Sequence, residues 1–407
     1  MRRYGLLGKK LSHSFSPQIH KYFYDDKYEL FEVEEKRIEN FLKSDCFDGI
    51  NVTIPYKKVV MPYCDELSDI AKELGNVNTI LKRADGTLYG DNTDYFGFLE
   101  MAKKSCISFC DKKVLILGSG GAGTTAKKVA IDEKAREVIV ISRQGEDNYD
   151  NIKKHADADI IINATPVGMY PDNGKTPVKL KNFNKLCGVL DLIYNPSKTA
   201  LILEAEELGI PCSNGLWMLC FQALRAAEIF SGNKYELSLV EKIVKDIEKE
   251  TKNIILIGMP GCGKSTVGKA LSKLLNTKML DTDEIISKKT GKTPSEIIKA
   301  DGEKVFRKIE TKILEEVSKL SGMVIATGGG IVTREENLFL VKQNSYVVFL
   351  ERELSLLECE NRPISQKEGV SSLYEKRKDL YKKFSDITVK SEDIKLTAKK
   401  IKEMLNL

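Results

Sequence analysis

Two glycine-rich loops of different types constrain the fold of this chain more than any other feature. The first, Gly118-Ser119-Gly120-Gly121-Ala122-Gly123, follows the apolar run Lys113–Leu117 and has the form that cradles a dinucleotide. The second, Gly258-Met-Pro-Gly-Cys-Gly-Lys264-Ser265, follows Asn253–Ile257 and has the form that holds a nucleoside triphosphate. Each loop needs its own strand and helix, so the chain must contain separate α/β domains with different chemistries.

The length of 407 residues suits two or three domains of ordinary size. Short apolar runs alternate with helix-like stretches along the chain, which is typical of α/β domains and, in the middle of the chain, of a parallel sheet covered on both faces. We predict three α/β domains: a substrate domain over 1–100 with helices of 215–250 returning to it, a Rossmann domain over 101–214, and a P-loop domain over 252–407. The predicted strands of the first two domains are residues 4–8, 29–33, 49–54, 113–117, 137–141, 159–162 and 188–192.

Composition favours a cytoplasmic enzyme that acts on small molecules. No apolar run approaches the ~18 residues of a membrane span, and the basic N-terminus lacks the apolar stretch of a signal peptide. The nine cysteines form no CxxC pairs, which indicates reduced thiols. Residues 252–407 carry an excess of seven positive charges without a basic block, which suits anionic metabolites better than nucleic acid. The oligomeric state is not predicted.

The first loop has the context of a Rossmann fingerprint, since it enters the helix-like segment Thr124–Ala130. Ser142 and Arg143 follow the next strand, where an NAD site would place an acidic residue. An arginine there can pair with a 2′-phosphate, so NADP(H) is favoured over NAD. The alternative is that Arg143 is only a solvated loop residue.

Polar residues of the N-terminal domain must then supply the chemistry: Ser14, Ser16, Lys57, Asn78 and Asp94. With their flanking motifs they resemble the shikimate dehydrogenase family. The resemblance continues through the segments Ile162–Met169, Asp191–Pro196 and Gly215–Gln222 and covers about residues 1–248. A Lys–Asp pair is otherwise most often a surface ion bridge.

The resemblance to shikimate dehydrogenase implies a role for each matching position. Lys57 and Asp94 would form the catalytic pair that protonates a carbonyl oxygen as NADPH delivers a hydride. Shikimate would be bound by Ser14, Ser16, Thr53, Asn78, Asp94, Tyr194 and Gln222. NADP would be bound by Gly118, Ser119, Gly120, Gly121, Ala122, Gly123, Ser142, Arg143, Asn163, Thr165 and Gly215.

The second loop is a full P-loop, in which Lys264 reaches the phosphates and the Ser265 hydroxyl ligates Mg²⁺. The acceptor must be read from other residues. Asp281 and Asp283 end the next strand, and Arg307 shares one helix face with Glu303 and Glu310. By itself, Arg307 would more simply form an ion pair with either glutamate.

With Thr327–Gly330, Asn361–Pro363 and Lys376–Tyr381, these residues resemble the shikimate kinase family across about residues 253–407. The fold implied is that of the nucleoside-monophosphate kinases. Asp283 would orient or deprotonate the attacking hydroxyl, Arg307 and Arg377 would hold the carboxylate, and Gly329 would offer backbone contact. Mg²⁺ would be held by Ser265 and Asp281. ATP would be bound by Gly258, Gly261, Cys262, Gly263, Lys264, Ser265, Thr266 and, in a short lid, Arg362.

The leading hypothesis is a bifunctional enzyme of aromatic amino acid biosynthesis. It would reduce 3-dehydroshikimate to shikimate with NADPH and then phosphorylate shikimate with ATP. One alternative changes the substrate, for instance to quinate, although Ser14 and Ser16 suit the carboxylate of shikimate. Another alternative fuses the dehydrogenase to a P-loop domain that binds nucleotide only to regulate it.

Overall fold

The computed structural model describes residues 2–11, 14–357 and 369–407. The chain divides into two compact units. One comprises Met1–Val167, Thr176–Tyr194 and Glu204–Asp246, and the other comprises Gly168–Lys175, Asn195–Leu203 and Ile247–Leu407. In the described ranges, no helix has both the length and the apolar character to cross a bilayer.

The N-terminal sheet has six strands in the order β2-β1-β3-β5-β6-β4. β3 and β5 are antiparallel, as are β5 and β6, while the remaining neighbours are parallel. Leu7, Ile50 and Ile80 lie in the core on one face of this sheet. The strands are β1 (Arg3–Gly8), β2 (Lys27–Glu32), β3 (Gly49–Val52), β4 (Glu66–Leu67), β5 (Thr79–Lys82) and β6 (Leu88–Asp91), and the helices are α1 (Ser16–His20), α2 (Ile38–Lys43), α3 (Asp69–Leu74) and α4 (Thr93–Lys104).

The middle sheet is fully parallel, with the order β11-β10-β9-β7-β8. The strand β7 is buried along its whole length, as expected for a strand covered on both faces. The strands are β7 (Lys113–Leu117), β8 (Glu137–Ile141), β9 (Ile160–Asn163), β10 (Gly188–Asp191) and β11 (Cys212–Asn214), and the helices are α5 (Gly121–Asp132), α6 (Ala200–Glu207), α7 (Leu216–Ser231) and α8 (Ser238–Thr251).

The C-terminal sheet is also fully parallel, in the order β13-β14-β12-β15-β16. Its strands β12 and β14 are buried throughout. The strands are β12 (Asn253–Ile257), β13 (Met279–Asp281), β14 (Val324–Ala326), β15 (Ser345–Glu351) and β16 (Ile387–Lys390). The helices are α9 (Lys264–Leu275), α10 (Thr282–Thr290), α11 (Pro294–Asp301), α12 (Glu303–Val317), α13 (Glu336–Lys342), α14 (Val370–Phe384) and α15 (Ile394–Met404).

The three sheets confirm the predicted α/β architecture, and the bounds of β7, β8 and β12 agree with the predicted runs. The predicted parallel sheet in the middle of the chain is confirmed as well. The prediction for the N-terminal domain missed β5 and β6, which form an antiparallel pair. Within that pair the residues at 83–87 make a turn, closed by the bond from the Arg83 amide to the Thr87 carbonyl.

Candidate active sites

The N-terminal sheet brings its predicted site residues to one edge. The ends of β3 and β6 and the start of β5 lie side by side, because Asn51 pairs with Thr79 and Thr79 pairs with Asp91. The segments that follow β3, precede β5 and follow β6 therefore converge. These segments carry Thr53 and Lys57, Asn78, and Asp94.

Lys57 and Asp94 form a close ion pair at this edge. The Nζ of Lys57 donates to the Oδ2 of Asp94 over 2.5 Å, and both side chains are partly shielded from solvent. Asp94 lies in the first turn of α4, where Asn92 caps the helix by accepting a hydrogen bond from the Asp94 amide. The carboxylate is therefore fixed by the helix start, and it fixes the ammonium in turn.

Two serines lie at the start of α1. The Ser14 and Ser16 hydroxyls are 3.1 Å apart, and Ser14 also accepts a hydrogen bond from the Ser16 amide. Phe15, between them, contacts the ring of Tyr194, with 5.6 Å between ring centroids. The Thr53 amide donates to the carbonyl of Leu7, which anchors the start of the loop that carries Lys57. The structure therefore brings Tyr194 next to the serine segment.

Asn78 and Gln222 are joined through Thr93, a residue that the sequence reasoning left out of the site. The Thr93 amide donates to Asn78 Oδ1 over 2.7 Å, and the Thr93 hydroxyl lies 3.3 Å from Gln222 Oε1. Thr93 is buried, so its polar groups need these partners. Its position next to Asp94 in the Asn-Thr-Asp motif is the sequence signal that could have identified Thr93 as a site residue.

Behind these residues lies a second buried polar group that the sequence reasoning also missed. The Tyr28 hydroxyl donates to Asn51 Oδ1 over 2.9 Å, and Asn51 Nδ2 donates to the Thr79 hydroxyl over 3.1 Å. Thr79 then donates to Asn78 Oδ1. This network fixes the amide of Asn78 from the side of the sheet.

The dinucleotide loop has the geometry of a phosphate cradle. Gly118 has a φ of +108°, which side chains rarely tolerate, and a Cβ on Gly123 would lie 2.1 Å from the Gly118 carbonyl oxygen. By contrast, a Cβ on Gly120 or Gly121 would meet no atom within 4 Å. Gly120 caps α5, so the open space lies at the positive end of that helix, with Ser119 and Ala122 in the same turn. These features fit a bound pyrophosphate.

The loop after β8 places Ser142 and Arg143 at the surface of the middle sheet. The Ser142 amide donates to the Asp147 carbonyl over 3.1 Å, which closes the loop. Arg143 is exposed, so its guanidinium can meet a phosphate without losing a buried partner.

Asn163, Thr165 and Gly215 support the loops around the middle sheet. Asn163 is fully buried, with Nδ2 donating to Asp191 and Oδ1 accepting from both the amide and the hydroxyl of Thr165. A Cβ on Gly215 would lie 2.1 Å from the Leu192 carbonyl oxygen. The hydrogen bonds of Asn163 hold the loop that follows β9, whereas the side chain of Thr165 is partly exposed.

In the P-loop, Lys264 begins α9 and its ammonium donates to the carbonyls of Gly258 and Met259 over 3.0 and 2.9 Å. Cys262 is fully buried inside the loop. The Ser265 hydroxyl donates to Asp281 Oδ2, so the two predicted magnesium residues lie together. Hydroxyl and carboxylate oxygens are the hard ligands that Mg²⁺ takes beside phosphate oxygens. Three further predicted ATP contacts, Gly261, Gly263 and Thr266, line a cavity in the C-terminal part of the chain together with Lys264 and Ser265.

Asp283 lies in the first turn of α10 and faces the cavity. Burial first, and then the negative charges of Glu310 and Asp281, raise the pKa of its carboxyl to about 6 against the lowering effect of Lys264 and Arg307. Among the described residues, its Oδ1 atom has no hydrogen-bond partner. This buried oxygen therefore lacks a donor from the described residues, and it belongs to a side chain that lines the cavity.

Arg307 does form the helix ion pairs that its sequence position allows. Its Nη1 donates to Glu310 Oε2 over 2.7 Å and its Nη2 donates to Glu303 Oε1 over 3.0 Å. Glu310 is fully buried, and burial raises its pKa. The ion pair and the predicted binding role are compatible, because both glutamates hold the guanidinium at the cavity wall. Glu310 is a functional candidate that the sequence reasoning did not place in the site.

Three consecutive glycines after β14 are each closed in by a different neighbour. A Cβ on Gly328 would lie 2.2 Å from Glu310 Oε1, and one on Gly329 would lie 2.6 Å from Cδ of Pro260. A Cβ on Gly330 would lie 2.1 Å from Nη2 of Arg307. This backbone therefore passes close to the P-loop and the arginine, and a side chain at any of the three positions would have to displace Glu310, Pro260 or Arg307.

Arg377, on α14, donates from Nη1 to the Gly329 carbonyl over 3.2 Å. It lines the cavity described above, which has a volume of about 1210 Å³, together with Lys264, Asp283 and Arg307. The P-loop and the two arginines predicted to bind the substrate carboxylate, Arg307 and Arg377, thus line one cavity. The predicted lid residue Arg362 lies outside the described residues.

Comparison with known proteins agrees with this geometry. Residues 6–80 match the family model of the shikimate dehydrogenase substrate binding domain, and residues 260–406 match that of shikimate kinase. A shikimate dehydrogenase (NADP(+)) of Clostridium perfringens is 36% identical over 269 residues, which is 99% of that protein and 61% of this chain. The chain belongs to the shikimate dehydrogenase family. Its C-terminal part is a shikimate kinase domain.

Solved structures show the same family fold. Shikimate dehydrogenase 1 from Peptoclostridium difficile is 38% identical, with a TM-score of 0.56, and covers 61% of this chain and 98% of its own. A chorismate mutase/shikimate 5-dehydrogenase fusion protein from Clostridium acetobutylicum is 36% identical, with a TM-score of 0.58, and covers 61% of this chain and 97% of its own. The present chain combines a shikimate dehydrogenase with a shikimate kinase domain, and so is a bifunctional oxidoreductase and kinase of the shikimate pathway.

Proposed function

We propose that the chain catalyses two consecutive reactions at two separate sites. Residues before about 250 reduce 3-dehydroshikimate to shikimate with NADPH, and residues 252–407 phosphorylate the shikimate 3-hydroxyl with ATP. The observation that carries the proposal is the single C-terminal cavity shared by Lys264, Asp283, Arg307 and Arg377. A domain that only sensed nucleotide would have no use for two arginines and a free carboxylate oxygen beside its P-loop.

In the dehydrogenase site, Lys57 acts on the oxygen of the ring carbonyl. When bound, NADPH supplies the hydride to the carbonyl carbon. The Lys57 ammonium, held by Asp94, stabilises the negative charge that develops on the oxygen and donates the proton that completes the alcohol. Asp94 keeps the ammonium oriented and itself accepts a hydrogen bond from a ring hydroxyl.

The other residues of this edge hold the ring. Ser14 and Ser16 present two neighbouring hydroxyls that suit a carboxylate. Asn78 and Gln222, fixed through Thr93, bind ring hydroxyls, while Thr53 and Tyr194 close the pocket. Arg143 pairs with the 2′-phosphate of NADP, because its guanidinium offers a planar pair of donors.

In the kinase site, Asp283 acts as the base or orienting group for the attacking hydroxyl. When bound, Mg-ATP supplies the phosphoryl group. With its pKa near 6, Asp283 is mostly ionised at neutral pH, and its free Oδ1 can accept the hydroxyl proton. Arg307 and Arg377 bind the carboxylate, and Lys264 draws the phosphates toward the acceptor. Ser265 and Asp281 would hold Mg²⁺.

The predicted domain bounds, 1–100 with 215–250, 101–214 and 252–407, are retained as part of this proposal. The end of α8 at Thr251 and the start of β12 at Asn253 support the last boundary. We also place the enzyme in the cytoplasm. Its need for NADPH and ATP supports this location.

The test is an assay of the purified full chain with 3-dehydroshikimate, NADPH and Mg-ATP. We expect NADPH oxidation and the appearance of shikimate 3-phosphate, with shikimate accumulating when ATP is omitted. NADPH oxidation without shikimate 3-phosphate, even from added shikimate, would favour a regulatory P-loop domain. Faster turnover of quinate than of shikimate in the oxidative direction would change the substrate assignment of the first site.

Two variants separate the sites. Lys57→Ala should stop NADPH oxidation but still phosphorylate added shikimate. Arg362→Ala should depress the kinase rate and leave the dehydrogenase rate intact; an unchanged kinase rate would refute the lid role of Arg362.

A further inference from the structure

Tyr381, on α14, occupies a position that the reaction described above does not use. It is fully buried, and its ring stacks on Phe349 with 4.9 Å between centroids and 13° between planes. Phe349 lies on β15, directly opposite Ile257 of β12, the last residue before the P-loop. The ring of Tyr381 is therefore packed against the strand pair that carries the phosphate-binding loop.

The hydroxyl of Tyr381 reaches both halves of the kinase site. It donates to the Gly329 carbonyl over 2.5 Å and lies 3.7 Å from the sulfur of Met259. The Met259 carbonyl in turn accepts from the Lys264 ammonium. Burial raises the pKa of this phenol, so the hydroxyl keeps its proton and remains a donor throughout the neutral range.

The Gly329 carbonyl oxygen accepts hydrogen bonds from two side chains, Tyr381 and Arg377. Arg377 donates to the same oxygen over 3.2 Å, while Gly329 itself lies against Pro260 of the P-loop. A rotation of the peptide between Gly329 and Gly330 would break both hydrogen bonds at once. The adjacent Gly330 packs closely against the guanidinium of Arg307, because a Cβ added there would lie 2.1 Å from Nη2.

We propose that Tyr381 is a positioning residue of the kinase domain, which holds the Gly329 carbonyl and thereby sets Arg377 and the adjacent backbone against the phosphate-binding loop. Tyr381 is not among the residues that line the cavity. It acts through Gly329 and Arg377, so its loss should weaken binding of the carboxylate substrate more than binding of ATP. This inference rests on the kinase reaction proposed above.

The test compares two tyrosine-to-phenylalanine variants of the full chain on the same helix. Tyr381→Phe keeps the stacked ring and removes only the hydroxyl. Tyr374→Phe is the matched control, because its hydroxyl lies 3.0 Å from Glu351 and does not contact Gly329. We expect Tyr381→Phe to raise the KM for shikimate about tenfold, as loss of a buried hydrogen bond would. The KM for ATP and the dehydrogenase kinetics should change less than about twofold, the scatter of surface substitutions, and Tyr374→Phe should match the parent chain.

A second measurement does not depend on catalysis. Hydrogen exchange of the chain without substrates should show faster exchange of residues 327–331 in Tyr381→Phe, with β12 and β14 as protected as in the parent. Equal kinetics of Tyr381→Phe and the parent would overturn the proposal, as would a general loss of protection in these strands, which would mean a merely structural role. An inactive parent kinase with normal exchange behaviour would instead count against the proposed function.

Discussion

The Oε2 atom of Glu310 lies 2.7 Å from Nη1 of Arg307, and this glutamate has no exposed surface. The carboxylate thus holds the Nη1 end of the guanidinium, and both side chains line the cavity. Because bidentate recognition of a carboxylate depends on the orientation of the guanidinium plane, the pair links a buried charge to substrate binding.

Glu310→Gln should therefore weaken shikimate binding by the kinase domain. The amide keeps the size of the side chain but loses the charge that orients Arg307, so we expect the KM for shikimate to rise about tenfold, the effect of about 1.4 kcal/mol. Steady-state kinetics with shikimate varied would measure this. Glu316→Gln, at an exposed position on the same helix, is the control and should leave the KM unchanged. Equal KM values for the two variants would contradict the positioning role of Glu310.

Asp283→Asn should abolish most of the kinase turnover. An amide cannot accept the hydroxyl proton, so kcat should fall at least about 100-fold, within the usual range for loss of a general base. The KM for shikimate should change little, since Arg307 and Arg377 remain. Glu284→Gln, the exposed neighbour on α10, controls for the local change of charge. Retention of more than a tenth of kcat would rule out a base role for Asp283.

The raised pKa of Asp283 predicts opposite effects on activity and stability. With a pKa of about 6, kcat/KM of the kinase should fall as the pH drops below about 6, because the protonated acid is no base. A carboxyl whose folded pKa is raised favours the folded state below its unfolded pKa, near 3.8, and this contribution is lost as the pH rises through 6. At pH 7.5 the ionised group therefore costs stability. Thermal unfolding of Asp283→Asn should show a kinase domain more stable by about 1–3 kcal/mol at that pH, with a smaller gain at pH 4.5.

Two glycines of the dinucleotide loop should respond differently to alanine. In Gly123→Ala the new methyl would meet the Gly118 carbonyl oxygen, so we expect a loss of about 1–3 kcal/mol in the free energy of unfolding without any nucleotide. In Gly121→Ala the methyl would enter open space, so the nucleotide-free stability should hold while the KM for NADPH rises. Thermal unfolding and NADPH kinetics on both variants would test this pair. Destabilisation of Gly121→Ala alone would reverse the assignment.

Arg143→Ala should lower the preference for NADPH over NADH. Loss of the guanidinium removes the pairing with the 2′-phosphate, so the KM for NADPH should rise about tenfold, consistent with loss of one charge-assisted hydrogen bond. The KM for NADH should remain the same. Arg136→Ala removes an arginine that instead pairs with Asp159, and so serves as the control. A parallel rise of both KM values would show that Arg143 does not read the phosphate.

The sequence was most informative where one short motif has one structural solution. The apolar runs before the two loops predicted β7 and β12 with their observed bounds, because a buried parallel strand must be apolar on both faces. The hairpin of β5 and β6 was not predicted, because neither strand is a continuous apolar run. β5 ends at Lys82, and Arg83 follows it. The Asp85-Gly86 turn of the hairpin was the local signal that could have revealed it.

The residues that hold the sites were harder to predict than those that form them. Thr93 matters because the fold brings it against Asn78, 15 residues earlier, and Gln222, 129 residues later. Glu310 matters because it pairs with Arg307, only three residues away. Sequence spacing showed that Glu310 could reach Arg307, and could not show that the pair would be buried. The pair is covered by a segment from elsewhere in the chain, since Gly328 packs against Glu310 and Gly330 packs against Arg307.

The crowding around Gly328, Gly329 and Gly330 also limits how this kinase site could be redesigned. A side chain at Gly329 would collide with Pro260, and one at Gly328 or Gly330 would first displace Glu310 or the guanidinium of Arg307, so a substitution here disturbs the site before it can contact a new substrate. Changes of substrate preference are better sought among other residues that line the cavity, such as Ser287 of α10 and Ser295 and Lys299 of α11. An engineer seeking a different acceptor alcohol should diversify those helices and leave the glycine wall alone.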